Sequence, residues 1–372
     1  MNLPAPFTEY TRALLGNEEY EKLSAALDQA PPVSIRLNPS FLTDANSPNS
    51  PISLLSSPVS PVPWCPEGYY LGQRLTFTFD PLFHAGCYYV QEASSMFVGQ
   101  ALKQYVSEEP VVMLDLCAAP GGKSTHACSL LPEGSLLVAN EVIRNRSQIL
   151  AENLTKWGYP GVVVTNNDPS DFSRLGAFFD VILTDVPCSG EGMFRKDPGA
   201  VEEWSPENVE ICWQRQRRII ADIWPCLKPG GILVYSTCTY NTKEDEENVQ
   251  WIRDEFGAEV LPVNAPGGWG ITGNLLAAAD FPVYRFLPHK TIGEGFFLAV
   301  LRKPEAERQG GIVTSVNREV TACGAMNEKL SRKKTAAARN NSKPSSAPMG
   351  KEQIAVAKSW LLSPEDFEVS AN

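Results

Sequence analysis

The chain has 372 residues, 43% of them hydrophobic and 20% charged, with a formal net charge of -11 at neutral pH. This balance is typical of a globular protein with two or three domains. It argues weakly against a nucleic-acid partner, although local basic clusters decide whether phosphates are contacted. With only three histidines in the chain, acid–base chemistry falls to Cys, Asp, Glu or Lys.

No apolar run approaches the length of a membrane span, and the N-terminus lacks the basic and apolar regions of a secretory signal. The nine cysteines are scattered without paired spacing, which indicates reduced thiols instead of a disulfide framework or a CxxC zinc site. We therefore expect a cytoplasmic protein without membrane contact and without a bound metal.

The first hundred residues predict a small α+β domain, which we assign to 1–100. It begins with a short helical pattern, and a Ser- and Pro-rich stretch at 46–63 predicts an exposed loop. Alternation over 73–79 predicts a strand. Residues 88–102 predict a helix that leads into the next domain.

From residue 111 the pattern changes to strands that alternate with helices. Apolar runs predict strands at 111–116, 135–140, 162–165, 179–183, 232–235 and, at the edge of the sheet, 295–301. Helices are predicted at 124–131, at 143–157 and from Ser205 onward, where a capping hydroxyl, a proline and an acid follow one another. This alternation predicts an α/β, Rossmann-like fold for 101–302, with a mostly parallel sheet covered on both faces.

The composition shifts again beyond residue 302. Residues 303–350 are rich in Ser, Ala, Asn, Lys and Arg. They predict a flexible linker, because they contain too little apolar surface to fold alone. Residues 351–372 regain apolar side chains but are too few for a core, so we interpret them as the start of an incomplete domain.

The hexapeptide DVPCSG (185–190) follows the strand predicted at 179–183. Proline and glycine around the cysteine predict a sharp turn, which would expose the thiol at the carboxyl end of a strand. Open α/β sheets bind ligands at that edge. Cys188 is therefore a candidate nucleophile, although on these six residues alone a small buried cysteine is an equally good interpretation.

A second motif lies between the first strand of this sheet and its helix. Its paired glycines let the backbone approach a ligand, which the N–H groups of the helix would face. The motif consists of Cys117, Ala118, Ala119, Pro120, Gly121, Gly122 and Lys123. It resembles the end of a phosphate-binding P-loop, but that motif requires glycine at position 117, so a nucleoside triphosphate enzyme is the weaker interpretation.

Acidic residues stand at the ends of neighbouring strands. Asp115 precedes the loop, and Glu141 closes the second strand, a position from which an acid binds a ribose diol. Asp168, with Asn167, follows the third strand, where it could meet an adenine amine. Together they fit a nucleoside without a long phosphate tail, and S-adenosyl-L-methionine is such a cofactor.

A second cysteine, Cys238, follows the strand predicted at 232–235. The carboxyl ends of neighbouring strands share an edge, so we expect Cys188 and Cys238 in one pocket beside the methyl donor. Two thiols there suit methylation of carbon 5 of a pyrimidine. A thiolate adds to carbon 6, carbon 5 then takes the methyl group, and a base removes the carbon-5 proton so that the thiolate can leave.

These motifs resemble the RNA cytosine-5 methyltransferases of the Nop/Sun group, and the similarity covers about 1–302. The shared strings are LDLCAAPGGK (114–123), DVPCSGEGMF (185–194) and STCT (236–239). Three further strings are similar to the bacterial ribosomal RNA branch of the group, the 16S ribosomal RNA methyltransferase F (RsmF) type. They are the extended string at 188–198, PHK (288–290) and GEGFF (293–297).

The resemblance implies roles for four side chains. Cys238 matches the family's nucleophile, and Cys188 matches the second cysteine, which is tied to release of the methylated RNA. Asp185 matches the aspartate that hydrogen-bonds the cytosine ring, and Lys123 is a further candidate contact to the base. The positions that match the surroundings of the methyl donor are Asp115, Cys117, Ala118, Ala119, Pro120, Gly121, Gly122, Lys123, Glu141, Arg146, Asp168 and Asp185.

The resemblance also implies the partners. The expected cofactor is S-adenosyl-L-methionine, and the expected substrate is RNA, namely 16S ribosomal RNA or the small ribosomal subunit, bound by a monomer. Residues 1–100 would be a family-specific RNA-binding domain, and 351–372 would begin a further RNA-binding domain that the chain does not complete. This departure from the branch puts substrate affinity in doubt, although not the chemistry.

Contact with RNA phosphates must come from local charge. Arg195 and Lys196 follow the Cys188 turn directly, and Arg215, Arg217 and Arg218 lie on the next predicted helix. Such cations neutralise backbone phosphates, although for any one of them a solvated helix face is an equally good interpretation. Because the target cytosine must reach both thiols, we expect it to be unpaired or flipped out of its stack.

Other functions remain open. A transfer RNA cytosine-5 methyltransferase would use the same chemistry. A DNA cytosine-5 methyltransferase also carries its nucleophile on a Pro-Cys turn, and ENV (247–249) is similar to one of its motifs, but its first loop differs and STCT (236–239) stays unexplained. A non-catalytic RNA-binding assembly factor of this fold would be expected to lose one of the cysteines, and both are present.

Overall fold

A computed structural model describes residues 1–41, 57–277 and 279–305. The predicted segment at 351–372 lies outside these residues, as does the predicted linker apart from 303–305. Every helix within the described ranges is too short or too polar to cross a lipid bilayer.

The N-terminal part contains a small antiparallel sheet preceded by two helices. Its helices are α1 (Ala5–Leu15), α2 (Asn17–Leu27) and the single turn α3 (Pro81–His84), and its strands are β1 (Val33–Leu37), β2 (Val59–Val62), β3 (Cys65–Leu71) and β4 (Tyr88–Val90). The strand order is β2-β3-β1-β4. Each strand pairs antiparallel with its neighbours, so this part is α+β as predicted.

Three local predictions in this part are wrong. Residues 59–62, predicted within a loop, form β2, and its Pro61 is tolerated because β2 is an edge strand. Residues 73–79 contain a 3-10 turn at Phe77–Phe79 in place of a strand. The stretch 88–102 is β4, then a 3-10 turn, then the start of a helix, because pairing with β1 overrides its short-range pattern.

The second part is a larger sheet with helices in the connections. Its strands are β5 (Val112–Asp115), β6 (Leu136–Asn140), β7 (Val162–Thr165), β8 (Phe179–Asp185), β9 (Leu227–Thr237), β10 (Glu259–Leu261), β11 (Tyr284–Phe286) and β12 (Phe296–Arg302). Its helices are α4 (Val98–Tyr105), α5 (Gly122–Cys128), α6 (Arg144–Trp157), α7 (Pro198–Glu203), α8 (Pro206–Ile223) and α9 (Glu246–Phe256). As predicted, Ser205 caps α8, because its hydroxyl accepts a hydrogen bond from the backbone of Asn208.

The strand order of this sheet is β10-β12-β9-β8-β5-β6-β7, with β11 paired to β12. Neighbouring strands from β7 to β9 are parallel, which confirms the α/β, Rossmann-like fold. The prediction that the last strand lies at the edge is wrong, because β12 runs antiparallel between β9 and β10. An apolar sequence is typical of any strand that is buried on both faces, so it does not distinguish a strand inserted between two others from one at the edge.

Apolar clusters cover both faces of the larger sheet. Met113 and Val181 belong to one cluster, and Leu114 and Ile182 belong to the other, because alternate residues of a strand point to opposite faces. A third cluster packs Phe7 and the N-terminal helices against the segments that follow β8 and β9. The N-terminal part therefore supports the edge at which those strands end.

The strand order reverses between β5 and β8. Ligands bind at the carboxyl ends of strands where such an order reverses. Asp115 ends β5 and Asp185 ends β8, so these two carboxylates stand on neighbouring strands at that edge.

Candidate active site

The two predicted cysteines meet at this edge. Parallel pairing of β8 with β9 places Asp185 beside Ser236, so the turns that follow the two strands leave the sheet next to each other. Cys188 Sγ lies 3.2 Å from Cys238 Sγ, and both side chains are half-buried. The contact with Cys238, together with burial, raises the pKa of Cys188 well above its usual value.

Asp185 is held through both of its oxygens. Lys123 Nζ donates to Oδ2 at 2.8 Å, and the hydroxyl of Ser236 donates to Oδ1 at 2.8 Å. Burial is the largest single influence and lowers the pKa of Lys123, but the charge and hydrogen bond of Asp185, together with Asp115 and Cys238, outweigh it, so the pKa of the lysine is raised. The pocket therefore presents a fixed carboxylate and a fixed ammonium group side by side. Ser236 was not among the predicted site residues, although it belongs to the STCT motif.

The predicted loop forms the connection from β5 to α5. Gly121 precedes α5 with a φ of 116°, and a Cβ there would lie 3.3 Å from Leu150 Cδ1, so this position requires glycine. Arg146 Nη2 donates to the carbonyl of Ala119 at 2.9 Å, and Ala118 N donates to the carbonyl of Asn140 at 2.8 Å. These contacts tie the loop to two further elements, α6 and β6.

The predicted acids differ in their surroundings. Asp115 is buried, and burial raises its pKa to about 7. Its Oδ2 accepts from Ser124 Oγ at 2.6 Å, whereas Oδ1 has no hydrogen-bond partner among the described residues. Glu141 is buried beside Arg146, whose Nη1 lies 3.2 Å from its Oε2. Asp168 caps a 3-10 turn, and hydrogen bonds from Ser170 lower its pKa.

Two cavities adjoin the cysteine pair. One, of about 560 Å³, is lined by predicted cofactor residues, including Glu141, Arg146 and Asp168. The other, of about 330 Å³, is lined by Lys123 and also by four side chains that sequence reasoning missed, namely Tyr89, Gln91, Glu92 and Glu294. Cys117, Asp185 and Cys238 line both cavities. The GEGFF motif could have pointed to Glu294, but no local signal marked the three N-terminal residues.

The predicted basic residues fall into two groups. Arg195 is buried and its Nε lies 3.0 Å from Glu294 Oε2, and Arg217 is half-buried against the ring of Trp213. These two are therefore not available to RNA phosphates in this structure. The three that remain accessible are Lys196, Arg215 and Arg218.

Within the described ranges, one cluster offers three ligand atoms that a metal could bind. It consists of Cys65, Glu67 and His126, whose donor atoms lie within 4.8 Å of one another. Burial raises the pKa of Cys65 to about 12, and its thiol lies 3.7 Å from Glu67 Oε2 in hydrogen-bonding geometry. A metal would require the thiolate. The expectation that the protein binds no metal stays a prediction.

The family that this site belongs to follows from comparison with known proteins. The family described as 16S rRNA methyltransferase RsmB/F matches residues 102–302. The chain belongs to the 16S rRNA methyltransferase RsmB/F family. The N-terminal domain of 16S rRNA methyltransferase RsmF matches residues 3–93, so the predicted resemblance to the RsmF type is confirmed.

Curated relatives of this RsmB/F member are named ribosomal RNA small subunit methyltransferase F. The protein of Pectobacterium atrosepticum is 36% identical over 254 residues, which cover 66% of this chain and 51% of that protein. The protein of Serratia proteamaculans is 35% identical over 311 residues, which cover 81% of this chain and 63% of that protein. The chain thus spans about half the length of the first of these curated relatives and under two thirds of the second.

Solved structures share the fold. The structure described as NSun6 from Pyrococcus horikoshii with SFG has a TM-score of 0.70 and 23% identity, covering 82% of this chain and 99% of that chain. A methyltransferase homolog from the same organism has a TM-score of 0.66 and 27% identity, covering 81% of this chain and 100% of that chain. The fold assigned above is therefore that of known methyltransferase structures.

Proposed function

We propose that this chain methylates carbon 5 of cytosine in RNA, with 16S ribosomal RNA as substrate and S-adenosyl-L-methionine as methyl donor. The observation that carries the proposal is the 3.2 Å separation of Cys188 Sγ and Cys238 Sγ, at the point where two cavities meet. One cavity suits a nucleoside cofactor, and the other suits a pyrimidine ring beside Asp185 and Lys123.

The residues around the larger cavity fit the cofactor. Glu141 would hold the ribose diol, Asp168 would meet the adenine, and the buried Oδ1 of Asp115, which lacks a partner in the described part of the chain, is an acceptor that a ligand can satisfy. S-adenosyl-L-methionine, when bound, supplies the methyl group. The names of the methyltransferase F relatives support the same assignment.

The side chains of this protein would then have different roles in the reaction. Cys238 adds through its sulfur to carbon 6 of the cytosine, while the fixed carboxylate of Asp185 and the ammonium group of Lys123 bind the ring. Cys188 lies within contact of Cys238 and serves the release of the methylated base. Cys238 on the β9 turn matches the nucleophile of the RNA enzymes, whereas the DNA enzymes carry their nucleophile on a Pro-Cys turn, which in this chain is the turn of Cys188.

We assign the substrate surface to both parts of the chain. Tyr89, Gln91 and Glu92 reach the smaller cavity from the N-terminal part, which supports a role for 1–100 in RNA binding and for 101–302 in catalysis. The accessible cations Lys196 and Arg218 lie at the cavity walls, where phosphates would pass. The predicted monomeric state and cytoplasmic location stay predictions.

Trapping of the covalent intermediate tests this function. We expect Cys188→Ala to accumulate a covalent protein–RNA adduct that resists denaturing electrophoresis, because the base adds to Cys238 but is not released. We expect Cys238→Ala to form no adduct and to lose methyl transfer. Cys226→Ala is the matched control, because Cys226 is buried and lines neither cavity.

The outcomes separate the alternatives. An adduct with Cys238→Ala but not with Cys188→Ala would favour the DNA-type assignment. If the wild-type chain transferred no methyl group to any RNA, the non-catalytic binding factor would be favoured. Bisulfite sequencing of ribosomal and transfer RNA from a deletion strain distinguishes 16S ribosomal RNA from transfer RNA as the substrate.

A further inference from the structure

A buried hydrogen-bond network that the mechanism does not use lies behind the two cysteines. It joins the turn at 188–191, which follows β8, to the turn at 238–241, which follows β9. Two carboxylates form its centre, Glu191 and Glu244, and neither side chain has any exposed surface. A buried carboxylate is costly unless its oxygens accept several hydrogen bonds.

Glu191 belongs to the Cys188 turn but binds the Cys238 turn. Its Oε2 accepts from Tyr240 N at 2.7 Å and from Asn241 N at 3.0 Å. Its Oε1 accepts from Asn241 Nδ2 at 3.1 Å and from Trp204 Nε1 at 3.0 Å. The backbone of the Cys238 turn is therefore anchored by a side chain from the opposite turn.

Glu244 makes the reciprocal connection. It follows the Cys238 turn, and its Oε2 accepts from Ser189 N at 3.0 Å while its Oε1 accepts from the Ser189 hydroxyl. Gln216 of α8 donates to the same Oε2 at 2.7 Å and to the carbonyl of Pro187 at 3.0 Å. The residues on either side of Cys188 are thus both fixed.

Asn241 links the two carboxylates. Its Nδ2 lies 2.8 Å from Glu244 Oε1 as well as 3.1 Å from Glu191 Oε1, and its Oδ1 accepts from Glu244 N at 2.8 Å. Glu191, in the Cys188 turn, therefore binds the Cys238 turn, and Glu244, which follows the Cys238 turn, binds the Cys188 turn. The side-chain amide of Asn241 connects the two carboxylates. Hydrogen bonds that cross between the turns fix the turns relative to each other more strongly than bonds within either one.

We propose that Glu191 and Glu244 are positioning residues that hold Cys188 and Cys238 at contact distance. They touch neither cysteine sulfur within hydrogen-bonding range, so they act through the backbone of the two turns. The expected effect of the two carboxylates on methyl transfer rests on the proposed function, whereas their expected effect on the distance between the two sulfurs does not. Fixing two reacting groups in this way lowers the entropy lost when they act together.

Thiol cross-linking tests the geometry without RNA. Diamide oxidises two adjacent thiols to a disulfide and is itself reduced to the hydrazine, so the rate of Cys188–Cys238 disulfide formation reports how well the sulfurs are aligned. In Glu191→Gln and Glu244→Gln, one carboxylate oxygen becomes an NH2 group, which cannot accept the hydrogen bonds that this oxygen accepts in the wild type. We expect the rate, followed by mass spectrometry of the linked peptides, to fall about tenfold.

Asp180→Asn is the matched control. Asp180 lies at the opposite end of β8, where it accepts from Val112 N at 2.9 Å and from Lys228 Nζ at 2.7 Å. The Asp180→Asn variant therefore loses similar hydrogen bonds, but none that involves the two cysteine turns. We expect its rate of cross-linking to be within about twofold of the wild-type rate. If a Glu variant does not fold, Ser189→Ala, which removes one donor to Glu244, should still slow cross-linking about threefold.

Methyl-transfer kinetics supply the second measurement. We expect kcat to fall about tenfold in the Glu variants while the KM for S-adenosyl-L-methionine stays near the wild-type value. Cross-linking at the wild-type rate in the folded Glu variants would overturn the proposal. If the wild-type chain transfers no methyl group, the proposed function fails, while the cross-linking rates still decide whether the two carboxylates position the thiols.

Discussion

At the scale of single residues, Asp115 carries an ionisable group where its charge is disfavoured. The side chain is 1% exposed, and burial raises its pKa to about 7. Ser124 satisfies one oxygen, and the other has no partner among the residues that the structure describes. Such a group lowers stability in the ligand-free protein and gains a partner when a ligand binds, which is common at functional sites.

We expect Asp115→Asn to change how stability depends on pH. In the unfolded chain the carboxyl loses its proton above about pH 4, whereas in the folded chain it keeps the proton to about pH 7. The free energy of unfolding of the wild type therefore falls by about 1.4 kcal/mol for each unit by which the pH rises across this window. The free energy of unfolding of the variant should match wild type near about pH 4 and exceed it by up to about 4 kcal/mol at about pH 8.

Denaturant unfolding at the two pH values, without ligand, measures this difference. Asp180→Asn provides the control, because Asp180 is partly exposed and makes its hydrogen bonds at the other end of β8. An Asp115→Asn variant whose stability differs from wild type by the same amount at both pH values would show that the carboxyl titrates normally in the folded protein.

The residues of the candidate site differ in how clearly the local sequence marked them. Cys188, Cys238 and the 117–123 loop stand in contiguous motifs whose residue types are specific to one chemistry, and the structure brings them together. Ser236 and Glu294 belong to the same motifs but make contacts that only the folded chain creates. Tyr89 and Gln91 had no signal, because they reach the site across the boundary between two sheets.

At the scale of elements, the connection from β5 to α5 depends on one backbone conformation. Gly121 precedes the helix with a φ of 116°, and its neighbour Leu150 leaves no room for a side chain without adjustment. A residue with a Cβ is strained at such a φ. The helix start and the loop that precedes it therefore share this glycine.

We expect Gly121→Ala to lower the free energy of unfolding by about 1–3 kcal/mol. It should also weaken binding of S-adenosyl-L-methionine by about tenfold or more, because the loop would shift against the cavity proposed to hold the cofactor. Thermal unfolding and isothermal titration calorimetry measure the two effects. Gly176→Ala is the control, because that glycine is exposed, has ordinary φ and has open space around it. Equal effects in the two variants would contradict the role of the φ at Gly121.

The predictability of the elements follows from their length and burial. The apolar runs located six strands of the larger sheet, because each has at least four residues and all except the edge strand β7 are largely buried on both faces. Strands β10 and β11 have three residues each, which is too short for a pattern. The sequence placed β12 correctly along the chain but not in the sheet, because an apolar run does not reveal which strands it pairs with.

At the scale of the whole molecule, the N-terminal helices pack against the sheet edge that carries the two cysteine turns. Phe7 of α1 is fully buried, with ring centroids 5.1 Å from Phe194 and 5.6 Å from Trp204. Phe194 follows the Cys188 turn, and Trp204 donates a hydrogen bond to Glu191. Packing at the start of the chain thus reaches the network that joins the two cysteine turns.

We expect Phe7→Ala to lower the free energy of unfolding by about 3–5 kcal/mol, because it leaves a cavity among aromatic rings. It should also reduce kcat for methyl transfer several-fold, because Trp204 and the Cys188 turn lose their support. Phe79→Ala is the matched control, because Phe79 is 85% exposed and its loss should change neither quantity. Loss of stability with unchanged kcat in Phe7→Ala would show that the helices only stabilise the fold.

The sequence by itself determined the fold class, and it predicted the loop at 117–123 as a cofactor site and the two cysteines as site residues. These features depend on local patterns, namely apolar periodicity, glycine and proline at turns, and reactive side chains at strand ends. The tertiary structure alone decided that Cys188 and Cys238 are in contact, that Arg195 is buried in an ion pair, and that N-terminal residues line the site. These facts depend on contacts between residues far apart in the chain, and no local pattern encodes such contacts.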